Sequence, residues 1–156
     1  MNETMIYNWN LVAGPKDEII HDGDFIFGGI EHAEKILSRL NGHITLIRGN
    51  HDKKLWKYYL TIPEKITTCD NFSVGSKAGI IYFSHYPEDV RNGYTQHKKK
   101  VQWHVHGHIH QHPTPDPKTK LNISVEHINY TPVLLDDIIN SFYGCTDRSA
   151  PVFETQ

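Results

Sequence analysis

Cysteine is scarce in this chain: Cys69 and Cys145 are the two present, far apart and without a Cys-x-x-Cys pair. That excludes a disulfide framework, disfavours a structural zinc knuckle and suits a reducing compartment. No apolar run approaches the roughly 20 residues that a membrane span requires, and no charged-then-apolar leader opens the chain. A cytoplasmic protein that stays out of membranes is therefore the expectation. Strong charge of either sign is also missing, with a formal net charge of -2, so a general affinity for nucleic acid is not implied. Lys98-Lys99-Lys100 is only a local basic patch. Internal repeats and low-complexity segments are absent as well.

What is present in excess is histidine, with 12 residues that do not form a consecutive run. Histidine is the commonest metal-binding side chain, so the excess points to metal. A length of 156 residues suits one domain with a real core, expected over 1–144, followed by a loose polar tail over 145–156.

The hydropathy pattern predicts alternating helices and strands, which is the arithmetic of an α/β fold. Met5, Ile6, Trp9 and Val12 recur at helical spacing over 2–12. Strands are predicted at 18–21 and 44–47, separated by a helix that buries Ile30, Ala33, Leu37 and Leu40 and stops at Asn41-Gly42. A short helix over 53–60 with Trp56 and Leu60 inward, strands at 66–68, 72–74, 80–83, 101–106 and 121–126, and a last helix over 133–142 complete the reading. The basic stretch 97–100 is read as a solvated helix face.

Chemistry-bearing residues gather at the ends of these strands. Gly49-Asn50-His51-Asp52, His21-Asp22-Gly23-Asp24, Ser84-His85 and Gly107-His108-Ile109-His110 each follow an apolar, β-leaning run. The carboxyl ends of strands are where open α/β sheets place ligands. A hydrolase acting on a phosphate ester must neutralise phosphoryl charge and activate water, and two divalent ions bridged by a carboxylate do both. Asp24 would be that bridge, with Asn50, His85 and His108 on one ion and His110 on the other. Such mixed nitrogen and oxygen ligands suit manganese, iron, nickel or zinc better than calcium. His21, His32, His43 and His97 are assigned no role, and His104, His106 and His112 are read as incidental neighbours rather than as groups that orient ligands.

The same motifs, in this order, resemble the calcineurin-like metallophosphoesterase superfamily. The run Asn122-Ile123-Ser124-Val125-Glu126 with Tyr130-Thr131-Pro132-Val133 is similar to the ending of its small bacterial and phage members. The resemblance implies a β-sandwich of mixed sheets flanked by helices in four layers (α/β/β/α), with metals at the strand ends. It also implies hydrolysis of phosphomonoesters or phosphodiesters by metal-activated water, acting on a phosphorylated small molecule or nucleotide. Asp24 would bridge; Asn50, His85 and His108 would hold the second ion and His110 the first; Asn50 and His51 would bind substrate. His51 would act as general acid, steadied by Asp52.

One departure stands against the resemblance. The family opens on a strand ending in Asp-x-His, and no Asp-x-His precedes Asp24 here. The expectation is a chain beginning after that motif, with one tight ion instead of two, an open edge beside the 18–22 strand, and self-association through that edge. Three function classes remain open at this point: an active phosphoesterase with an impaired first metal site, a catalytically degenerate member that binds metal or a protein partner, and a histidine-rich zinc store.

Overall fold

The computed structural model describes residues 2–144, so the tail expected over 145–156 lies outside the described residues. Helix α1 (Asn2–Val12) leads to strand β1 (Glu18–His21), helix α2 (Ile30–Leu37) and strand β2 (His43–Ile47). A 3₁₀ turn (Asp52–Lys54), helix α3 (Trp56–Tyr59) and strand β3 (Ile66–Cys69) follow. Strands β4 (Phe72–Ser76), β5 (Gly79–Ser84), β6 (Val90–Arg91), β7 (Tyr94–Thr95), β8 (Trp103–His106) and β9 (Lys120–Asn122) precede the last helix, α4 (Leu135–Gly144). None of the described helices is long and apolar enough to cross a membrane.

Two sheets organise these elements. The first is parallel, in the order β1-β2-β3, and β1 stands at its edge. The second runs β4-β5-β8-β9, with the first pair antiparallel and the other two parallel. Alternation along β2 explains how they face each other. Ile44 and Leu46 point to a cluster with Ile6 and Trp9 of α1, Ala33 and Leu37 of α2, and Leu55 and Tyr59. Ile47 points the other way, to Ile81, Phe83, Val105 and Leu121 of the second sheet. Helix α4 closes this inner cluster with Ile138 and Phe142, whose ring stacks on Trp103 at 4.6 Å. The result is the expected mixed α/β arrangement of sheets flanked by helices.

Several local expectations need correction. Leu60 is not an inward residue of the short helix: it is exposed, while Leu55 and Tyr59 are buried and Trp56 packs half-buried beside them. The 3₁₀ turn at Asp52 precedes the helix, so helical spacing alone does not give this distribution. Val12 and Ile30 are likewise exposed, and Ala13 takes the inward place at the end of α1. The basic stretch 97–100 is exposed but not helical. Asn92, Gly93 and Lys98 all have positive φ, which breaks a helix and forms a turn beside the β6-β7 hairpin. Strand β9 pairs with β8 as anticipated but stops at Asn122, whose side-chain oxygen accepts the Ser124 amide at 2.9 Å and turns the chain out of the ladder.

The outer face of the second sheet carries the largest surprise. His104 and His106 are completely enclosed under the segment that runs through Val90 and Val101. Lys120 fastens that segment, donating to the Pro87 and Val90 carbonyls at 2.6 and 2.7 Å. His104 Nε2 lies 2.8 Å from the Ser84 hydroxyl. Burial pulls the His104 imidazole down to about 3, well below its ordinary value, so it is neutral in the fold. In the unfolded chain it gains a proton once pH drops below about 6.5. The unfolded state then binds more protons than the native one, and stability falls as pH falls from about 6.5 toward 3, by up to about 1.4 kcal/mol per pH unit for this group. Urea unfolding at a series of pH values should show that slope, to which His21 and His106, each lowered to about 4 by burial, also contribute, and His104→Gln should reduce it. An unchanged slope in the variant would remove His104 as a cause.

Candidate metal centre

Parallel pairing within each sheet brings the carboxyl ends of β1, β2, β5 and β8 to one rim of the sandwich. Just beyond β1, Gly23 and Asp24 both take positive φ, 89° and 54°. A Cβ on Gly23 would lie 2.6 Å from His85 Nδ1 and 2.7 Å from the Gly49 nitrogen, so only glycine fits there. Gly49 is constrained in the same way, since a Cβ would strike the Asp24 carboxylate and amide. The two turns therefore interlock without side chains between them.

Asp52 holds them in that position. Its carboxylate is 1% exposed and accepts three backbone N–H groups: Asp24 and Gly49 at 2.8 Å and Phe25 at 3.0 Å. The expectation that Asp52 steadies the His51 ring is thus replaced by a different arrangement, in which its two oxygens stabilise the left-handed turn at Asp24 and tie the end of β1 to the end of β2. His51 is exposed, donates its backbone N–H to Asp24 Oδ1 at 2.7 Å, and carries its ring 5.1 Å from that of Phe27.

The side chains of Asp24, Asn50, His85 and His108 come together at the rim. Ligand atoms of Asp24, His85 and His108 lie within 4.8 Å of one another. His85 Nε2 is 3.4 Å from Asp24 Oδ2, 2.9 Å from Asn50 Oδ1 and 3.1 Å from His108 Nδ1. The other ring nitrogen, Nδ1, lies 2.6 Å from the Asp22 carbonyl, an acceptor only, and must donate to it. In the neutral ring that leaves the Nε2 lone pair facing the carboxylate oxygen of Asp24 and the amide oxygen of Asn50, a set of donor atoms that a cation can join. The donor set fits a divalent transition-metal ion, and the carbonyl behind His85 orients it as a ligand histidine requires. The rings of His85 and His108 also meet Tyr86 edge-on at 4.8 and 4.7 Å.

His110 is not brought into this group. Its ring is 66% exposed and Nδ1 meets Glu126 Oε1 at 3.0 Å, while its backbone carbonyl accepts from Asn122 Nδ2 at 2.7 Å. Glu126 and Asn122 lie in the motif run Asn122-Ile123-Ser124-Val125-Glu126, yet neither had been given a part. The Asp22 side chain, at the end of β1, is enclosed with both oxygens unpartnered, and burial pushes its carboxyl well above the usual carboxylate range. Only its backbone carbonyl serves the centre. Beside Asn50 opens a cleft of about 380 Å³ flanked by Arg48, Lys53, Tyr86 and Gln96.

The structure is thus a mixed α/β sandwich with a nitrogen and oxygen donor cluster, a candidate metal site, at its strand ends. The chain belongs to the calcineurin-like phosphoesterase superfamily, whose domain model matches residues 8–129. It is 35% identical over 145 residues to an uncharacterized protein of Methanocaldococcus jannaschii, MJ1445, an alignment that covers 89% of this chain and 73% of that protein. It also resembles the crystal structure of AQ665, a protein of unknown function from Aquifex aeolicus, with a TM-score of 0.68 at 23% identity over 89% of this chain and 83% of that one. The last likeness shows the fold alone.

Removing the Asp52 carboxylate should disorganise both turns at once. We expect Asp52→Ala to lower stability by about 3 kcal/mol or more, because buried amides lose charged acceptors, and to abolish metal binding. Urea unfolding with metal titration checks this, and a variant as stable as the parent would show that the turns hold without Asp52.

Proposed function

We propose that this chain is a metal-dependent phosphoesterase. The observation that supports the reading most directly is the convergence of ligand-type atoms from Asp24, Asn50, His85 and His108 at one place on the rim. These residues would hold one divalent ion, of manganese, iron, nickel or zinc type, while His110 is engaged by Glu126. The ion, when bound, supplies Lewis acidity toward a phosphoryl oxygen and acidifies water.

The chain's own residues supply the rest. The Asn50 amide N–H group, on the same side chain as the ligating oxygen, would donate to a phosphoryl oxygen. Arg48, held over the Trp56 ring at 4.9 Å, and Lys53 line the neighbouring cleft and would offer cations to an anionic ester, alongside the carboxyl groups of Asp70 and Asp89. His51, exposed on the rim and anchored through its backbone, is free to meet the ester's leaving oxygen. Water adds to phosphorus, the ester P–O bond breaks, and a His51 proton passes to the departing alkoxide. The proton shed by water restores His51. Phosphomonoesters and phosphodiesters, of small molecules or nucleotides, both fit this scheme.

A second reading, metal or partner binding without turnover, draws on one observation: His110 lies outside the donor cluster. The two readings part on a chromogenic phosphodiester with added manganese. Metal analysis after dialysis should give about one ion per chain, the content expected of a single closed donor set. His85→Ala should lose metal and turnover together. His51→Ala should lose about 100-fold in turnover with metal content unchanged, as removal of a general acid does. A metal-loaded parent that fails to hydrolyse the ester would favour the second reading.

A further inference from the structure

Phe27 is one of several large apolar side chains exposed on the surface, and it stands out by lying beside His51 at the rim. It is 64% exposed and belongs to none of the apolar clusters. The neighbouring aromatic of the same loop behaves oppositely: Phe25 packs against His21 at 4.6 Å and against Trp9 and Tyr59 at 6.1 and 6.4 Å. Gly28 and Gly29 follow, and nothing lies within 4 Å of where a Gly29 side chain would begin. Among the described residues the ring's one aromatic neighbour is His51, at 5.1 Å and tilted by 50°. An apolar ring left in water forgoes the stabilisation that burial would bring. Its place beside the residue assigned to the leaving oxygen gives it a use that packing does not.

We propose that Phe27 determines specificity, by receiving a flat aromatic ring carried on the leaving alcohol of the phosphate ester. The inference rests on the phosphoesterase reading, and on His51 marking the leaving side. With phosphorus held by Asn50 and the metal ligands, an alcohol departing past His51 extends over the exposed face of Phe27. A saturated alkyl or bare sugar alcohol covers little of that ring. A nucleobase or an aryl group covers it by stacking, and removes apolar surface of both partners from water. Stacking of this kind tolerates different bases, because every base offers a π-face. The nucleobase and the aryl group share the same chemistry, and matched ligands separate them.

Calorimetric titration of the metal-loaded protein with non-hydrolysable phosphonates tests the idea without relying on turnover. Three ligands are compared: the 5′-methylenephosphonates of adenosine and of ribose, which differ only in the base, and benzylphosphonate as the aryl case. The parent should bind a ring-bearing ligand about five- to 100-fold more tightly than the ribose analogue, the range that stacking on one aromatic side chain gives. Preference for the adenosine analogue assigns nucleotide esters, and preference for benzylphosphonate alone assigns aryl esters. Phe27→Ala should bring that ratio to about one, and Phe27→Trp should restore it. A parent that binds all three alike, or a ratio that survives Phe27→Ala, overturns the proposal. Failure of even the ribose analogue to bind when metal is present would instead bring down the phosphoesterase reading, and this inference with it.

Discussion

The Asp52 carboxylate is the constraint on which the rim of this molecule depends. A buried carboxylate is costly unless its lone pairs are filled, and here three backbone amides from two different turns fill them. Because Asp24 adopts a left-handed conformation that a residue with a side chain resists, an external acceptor for its own amide and the next one is what fixes it. The same acceptor takes the Gly49 amide, so the ends of β1 and β2 cannot drift apart. Asp24 and Asn50 owe their convergence to this shared anchor.

The second half of the centre comes from the other sheet, and hydrophobic packing between the sheets brings it into range. Ile47 meets Ile81, Phe83, Val105 and Leu121 across the sandwich, and parallel pairing of β5 with β8 delivers His85 and His108 at the same end. His85 then crosses the interface to bond the Asp22 carbonyl. That bond fixes which imidazole nitrogen faces the other donors. One hydrogen bond to the backbone of the first sheet thus both joins the halves and prepares a ligand.

Much of this layout is legible in the amino-acid order. The strands β1, β2, β5 and β8 grow from short apolar, β-leaning runs, and polar groups, with glycine beside them in three of the four, mark where each stops. Residue types suited to metal at four such ends are enough to nominate Asp24, Asn50, His85 and His108. Helix faces were less legible. Near Asp52 the fully buried residues are Leu55 and Tyr59, with Trp56 half-buried beside them and Leu60 exposed, a distribution that helical spacing alone does not give because a 3₁₀ turn precedes the helix. The basic stretch after Gly93 carries helix-compatible lysines, yet backbone turns with positive φ took precedence.

The sequence by itself determined the composition of the site and the sequence distance at which each donor arrives. Strand period and turn residues are local properties, so they survive translation into structure. The tertiary structure alone decided which of the polar groups meet. Asp52 turned out to bind backbone and not the His51 ring, since the amides of two turns reach it first. His110, two residues from His108, points to Glu126, because each takes a left-handed backbone that sends their side chains apart. His104 and His106 became enclosed neutral groups, as the segment fastened by Lys120 folds over them. Each of these outcomes hangs on contacts between residues far apart in the chain, and the identity of a residue does not specify such contacts until the sheets have packed.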